Sequence, residues 1–183
     1  MRTAPALLVV LALSVALTGC VPDDDPIVVD PEPSASPIFE SDEEALAAAE
    51  EAYGIYVQLS DQILVEGGVD PERVSPLVSA QLLDELLEGF QLYSDNGWRT
   101  SGPSTYDSFQ LQQLDQPSDG PASVVVYLCA DLSSVRLLDA TGADVTPPSR
   151  KDRLPLEVEI DFESPQTGLI ARSELWSGED FCA

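Results

Sequence analysis

Between Leu154 and Glu163 the chain alternates. Leu154, Leu156, Val158, Ile160 and Phe162 fall on one parity, while Glu157, Glu159, Asp161 and Glu163 fall on the other. A period of two puts the two sets on opposite faces of an extended strand, one buried and one wet. Such a strand belongs in an antiparallel sheet with one covered face, so the rest of the chain has to supply the cover. From Trp98 onward the same period predicts strands over 98–101, 105–114, 122–132, 134–139 and 168–177, separated by clusters of Gly, Pro, Asp and Ser. Val124–Cys129 is apolar on both parities and reads as a central strand. Ser164-Pro165-Gln166-Thr167 is the turn into the last strand. Pairing Glu163 with Gly168 sets Phe162 opposite Leu169, Ile160 opposite Ala171 and Leu156 opposite Leu175 on the inner face. On the outer face Glu159 then meets Arg172, at the cost of Glu157 facing Glu174.

The cover comes from two helices upstream. Ser41-Asp42-Glu43-Glu44 is a capping box, with Ser41 as N-cap and Glu44 three residues on. Leu46, Ala49, Tyr53, Tyr56, Val57, Ser60, Ile63 and Leu64 follow a 3.6-residue period, with Glu50, Glu51, Gln58 and Asp61 on the wet face. Gly67-Gly68 stops a helix over 42–66. Asp70-Pro71 supports a short turn, and Ser75-Pro76 predicts a second helix over 76–94, ended by Ser94-Asp95-Asn96-Gly97. Its inward residues are Val78, Leu82, Leu83, Leu86, Leu87, Phe90 and Tyr93. Helices followed by four to six antiparallel strands make one α+β domain over 41–183.

The N-terminus has a different logic. Arg2 precedes an apolar run, Ala4–Leu17. That run is too short for a membrane span, which needs about twenty residues, and fits a cleaved export signal. Leu17-Thr18-Gly19-Cys20 resembles the lipobox of bacterial lipoproteins. The resemblance implies that residues 1–19 are removed and that Cys20 is diacylated, palmitate being the usual chain. Two acyl chains would hold the protein durably on the outer, extracytoplasmic face of the cell membrane. The alternative is a plain secretory signal with Cys20 merely near the cut. Residues 20–40 then form a linker, in which Pro22, Pro26, Pro31, Pro33 and Pro37 alternate with Asp23, Asp24, Asp25, Asp30 and Glu32. Proline and like-charge repulsion keep such a segment extended and solvated. Asp23-Asp24-Asp25 lacks the alternating ligands and glycine of a calcium loop.

The chain has 8 basic and 33 acidic side chains and no histidine. Loss of Arg2 with the signal takes the formal charge from −25 to −26. No basic patch exists to displace counterions from nucleic acid. Without histidine, Ser-His-Asp and Cys-His catalysis are excluded, and zinc sites are short of ligands. No Walker loop, Gly-x-Gly-x-x-Gly, Gly-x-Ser-x-Gly or Ser-x-x-Lys occurs. No cofactor or metal is expected. With Cys20 taken by lipid, Cys129 and Cys182 remain, and in an oxidising compartment they are expected to pair, free buried thiols being the alternative.

A long helix on a curved antiparallel sheet resembles the NTF2-like (cystatin-like) fold. The lipobox, acidic Pro-rich linker, capping-box helix and two-cysteine frame together resemble small lipoproteins of high-GC Gram-positive (actinobacterial) bacteria. The fold resemblance implies a pocket between helix and sheet, with Tyr53, Tyr56, Tyr93 and Ser173 as candidate lining, though aromatics at helical spacing also serve as plain core. Asp131, after the apolar strand, is either a pocket base of raised pKa or a strand-end cap. Trp98 and Trp176 suit a core rim or a partner surface. Three functions follow: a non-enzymatic module binding an envelope protein or small molecule, an isomerase- or dehydratase-like enzyme using a pocket carboxylate, or a structural domain self-associating through the 98–101 edge.

Overall fold

The computed structural model describes residues 36–182; Cys20, the signal region and most of the linker lie outside the described residues. The first helix, α1, spans Asp42–Val65. Ser41 Oγ accepts the Glu44 backbone N–H at 3.2 Å, as the capping box requires. The reciprocal bond goes one residue further out, with the Glu40 N–H donating to Glu44 Oε2 at 2.8 Å. Gly67 and Gly68 close the helix, both at positive φ, their N–H groups donating to the Leu64 and Ile63 carbonyls.

The second helix, α2, spans Ala80–Asn96, which corrects the expected start at Pro76. Both prolines instead fall in one 3-10 segment, Pro71–Leu77. Val78 then leaves helical geometry to bridge Ile170, and the Ser79 N–H donates to the Ile170 carbonyl. Ser79 caps α2 through its hydroxyl, which accepts from the Leu82 N–H. A tertiary contact with the sheet outcompetes the local Ser-Pro start. Gly97 ends α2 in the left-handed conformation.

Six strands follow: β1 (Arg99–Ser101), β2 (Thr105–Asp115), β3 (Ala122–Asp131), β4 (Arg136–Leu138), β5 (Arg153–Ser164) and β6 (Thr167–Leu175). They form an α+β domain with two sheets rather than one. The main sheet has the order β2-β3-β5-β6, all antiparallel, and β1 pairs with β4 separately. The residues predicted as an exposed edge, 98–101, are thus hydrogen-bonded to β4 along one side. Gly102 marks the break between the sheets. Its positive φ and the close approach of the Ser134 carbonyl leave no room for a Cβ.

The central strand is β3, as its two-sided apolarity predicted. Val124, Val126 and Leu128 are buried on the inner face beside Val158, Ile160 and Phe162 of β5 and Ile170 of β6. Helix α1 lies across this face with Ala45, Ala49, Tyr53 and Ile63 inward. The β5–β6 register holds for Leu156–Leu175, Glu157–Glu174 and Glu159–Arg172, although Leu175 at the end of β6 is 64% exposed rather than buried. Beyond that point a bulge shifts it by one, so Ile160 faces Ile170 and Phe162 faces Gly168. The expected Phe162–Leu169 and Ile160–Ala171 pairs are therefore corrected: the slip carries Ile170 into the core and leaves Leu169 at the surface.

The folded part also starts earlier than Ser41. Phe39, expected in the solvated linker, is 1% exposed. Its N–H donates to Gln116 Oε1 at 2.8 Å and its carbonyl accepts from Gln116 Nε2.

At the other end, the Cys129–Cys182 disulfide ties the C-terminal tail to the outer face of β3, with the two Cα atoms 5.6 Å apart. The tail lays Phe181 and Trp176 against Tyr127, their ring centroids 5.5 Å and 4.5 Å from it. Trp176 is thus part of an aromatic cover on the sheet's second face, while Trp98 meets Tyr93 edge-on.

Candidate functional site

The C-terminal half of α1 stands beside the point where the β2–β3 hairpin breaks from its β1–β4 extension. Period 3.6 brings Tyr53, Tyr56, Val57 and Ser60 to this side of α1. Period two brings Ala130 and Leu132 to meet them, with Ser104, Thr105 and Tyr106 opposite. Between them is a cleft of about 150 Å³. Tyr53 forms its base, 5.8 Å from the Tyr56 ring centroid and 5.2 Å from that of Tyr106. Asp61 lines the cleft too, accepting from the Ser104 N–H at 2.9 Å and the Ser104 hydroxyl at 2.8 Å. Its expected place on the wet face of α1 is corrected by that tie. The Ser60 hydroxyl oxygen is buried with no hydrogen-bond partner of ordinary geometry.

The phenols here are weak acids. Burial pushes Tyr53 far above the ordinary tyrosine range, helped by Tyr56, Tyr106 and Asp61. Burial also raises Tyr56, with Ser60 offsetting part of it. Tyr106 is raised by burial and then by Glu50. The cleft therefore presents protonated hydroxyls, aromatic surface and one carboxylate, and no cationic side chain lines it.

Of the sequence candidates, only Tyr53 and Tyr56 meet here. Tyr93 sits near the end of α2 against Trp98, with ring centroids 6.1 Å apart. Ser173 lines a hollow of about 20 Å³ with Gln81, Leu82 and Glu85 of α2. Asp131 lies between two cleft residues in sequence, but strand alternation turns it to the other face. There its Oδ1 accepts the Ser133 N–H at 2.8 Å, and its Oδ2 accepts from Arg153 Nη1 at 3.2 Å. The Ser133 hydrogen bonds, then Arg153, hold its carboxyl below the usual range, opposite to what a raised-pKa base needs. Asp131 caps its strand end. Asp61, Ser104 and Tyr106 escaped the sequence reading because only tertiary packing joins α1 to the start of β2.

A larger concavity, about 380 Å³, lies on the other flank of α1. Ala48, Ala52 and Ile55 form one wall, Leu77 and Leu169 the other, and Phe162 the floor. Ile55 is 49% exposed and Leu169 37%. Glu51 and Glu163 stand on its rim.

On the outer face of the main sheet, Arg172 answers the like-charge pair expected from the register. Its Nη1 reaches Glu157 at 2.9 Å and Glu174 at 3.2 Å, while its Nε reaches Glu159 at 3.3 Å. Beside this cluster, burial and then Glu159 raise the carboxyl of Asp161.

No protein-family model matches the chain, and no curated protein matches it. Among solved structures, it is similar to the intermembrane space region of the chloroplast protein ARC6, at TM-score 0.52 and 12% identity over 73% of this chain and 97% of that one. A periplasmic fragment of TraM aligns at TM-score 0.48 and 15% identity, over 76% of this chain and all of that one. The likeness to the ARC6 region is one of fold. Among the described residues, no helix is long and apolar enough to cross a membrane.

Proposed function

We propose that this chain is an envelope lipoprotein of NTF2-like type, anchored through Cys20 on the outer face of the cell membrane, whose domain docks a partner protein rather than transforming a substrate. The observation that carries the reading is the apolar groove between α1 and the β5–β6 turn, with Ile55 and Leu169 standing exposed over it. Solvent-facing apolar side chains around a concave floor are what a docking surface offers. Charge selects the occupant: Glu51 and Glu163 on the rim, in a chain of formal charge −25, favour an apolar segment flanked by Lys or Arg. The Cys129–Cys182 bridge supports an oxidising compartment. The ARC6 region that shares the fold is itself an intermembrane-space domain.

The test places a photo-crosslinking residue at Leu169 or Ile55 in the full-length protein in its own membrane, with Val145, exposed elsewhere, as control. Both groove positions should capture one envelope protein through an apolar, Lys- or Arg-flanked peptide identified by mass spectrometry. The Val145 variant should capture none of it, and Ile55→Asp should abolish capture at Leu169. Capture of an acidic peptide, of a second copy, or of a linker peptide of the same chain (residues 20–40) overturns the reading. Cys20→Ser should release the protein from the membrane; retention of that variant removes the anchor from the proposal.

A further inference from the structure

We propose that the cleft of Tyr53, Tyr56 and Tyr106 binds a small quaternary ammonium ion, held between the tyrosine rings and the Asp61 carboxylate. This site is separate from the groove and independent of what docks there. Two observations and one principle point to a cation. The polar groups lining the cleft are hydroxyls, backbone and one carboxylate, with no basic side chain among them. Aromatic ring faces carry negative quadrupole charge, and a cation over them is stabilised most where water is excluded. Three tyrosines converge here, with Tyr53 within 6 Å of both others and itself 4% exposed.

The local field has the matching sign. Asp61 lies close enough to Tyr53, and Glu50 to Tyr106, to oppose a second negative charge on either phenol. At longer range the net charge of −25 attracts cations to the whole domain. A cleft of about 150 Å³ has room for a tetramethylammonium-sized headgroup.

The test titrates tetramethylammonium chloride into the full-length protein by calorimetry, with sodium chloride at matched ionic strength and tert-butanol as the uncharged control. Saturable tetramethylammonium binding is expected, with tert-butanol weaker by about tenfold. Asp61→Asn and Tyr56→Leu should each weaken binding by roughly tenfold, and Tyr56→Phe, which keeps the ring, should retain it. Circular dichroism of each variant checks that it has folded. A second readout is specific to charge in the cleft: bound tetramethylammonium should bring the phenol titration, followed by ultraviolet absorbance, down toward the ordinary range. n-Butylammonium, which copies the end of a lysine side chain, separates the sources. Preference for tetramethylammonium supports a free small ligand, and a tenfold preference for n-butylammonium assigns the cleft to a partner's lysine and overturns the proposal. It is equally overturned if tert-butanol binds as tightly, if Asp61→Asn and Tyr56→Leu bind unchanged, or if no saturable binding occurs.

Discussion

Phe39 stands edge-on to Phe162, with ring centroids 5.0 Å apart and planes at 83°. The contact joins the residue that ends the linker to the β5 residue that floors the groove, and both are buried. The N-terminal segment and the floor of the groove therefore share one patch of core. Phe39→Ala should cost about 3–5 kcal/mol, as deletion of a buried aromatic ring does. Urea unfolding of the variant measures it; a loss below about 1 kcal/mol would show that the N-terminal segment is not part of the cooperative unit.

Reduction should weaken the fold through the other end of the chain. The Cys129–Cys182 bridge spans 53 residues, and closing a loop of that length restricts the unfolded chain by about 4 kcal/mol on the loop-entropy account. For a domain of this size that corresponds to a fall in Tm of roughly 8–16 °C. Calorimetry with and without reductant tests it. The released tail should also uncover Tyr127, seen as loss of the near-ultraviolet dichroism of the Tyr127–Trp176–Phe181 cluster.

Acid should act through Arg153. Its hydrogen bonds, with help from Ser108, hold the Asp107 carboxyl down at about 2. Asp131 is lowered as well. An unfolded Asp titrates near 3.9, so between about 4 and 2 the unfolded chain binds more protons than the folded one. Stability from this pair is complete above about pH 4 and is lost as pH falls toward about 2. Arg153→Gln should return Asp107 to the ordinary range and flatten the acid limb of the Tm profile. Carbon-13 NMR of the Asp107 carboxyl reads this directly, and a wild-type midpoint near 3.9 would contradict it.

Arg172 is the only cation in contact with Glu157, Glu159 and Glu174 among the described ion pairs. Arg172→Gln leaves three carboxylates side by side next to Asp161. The expected loss is about 1 kcal/mol at low salt, because these groups are partly exposed and water screens them. Added sodium chloride should recover most of it by screening the repulsion. A loss indifferent to salt would mean that Arg172 acts through packing of its stem rather than through charge.

Features with a short reach were readable from the residues. Ser41 caps α1, Gly67-Gly68 and Gly97 end the helices, and the strand alternation recovered β1–β6 to within a few residues. Each depends on groups no more than about one helical turn or one strand pair apart, so local sequence carries it. The Glu159–Arg172 pair was legible for the same reason, because it lies in a hairpin with a short turn.

What misled the sequence reading in each case was a long-range contact. Ser75-Pro76 is a sound helix start, yet Val78 pairs with Ile170, ninety-two positions on, and delays the helix to Ser79. The single-residue bulge beside Ile160 has no local signature, and it alone decides that Ile170 rather than Leu169 is buried. Tyr53 and Tyr56 were visible as an inward stripe, whereas Asp61 and Tyr106 joined them only through the crossing of α1 over β2. Helix caps, strand parity and the expected pairing of two cysteines were therefore legible in the sequence alone. Which side chains share a cleft, and where Phe39 and Asp131 end up, was decided by packing, because burial is settled by neighbours that local sequence does not name.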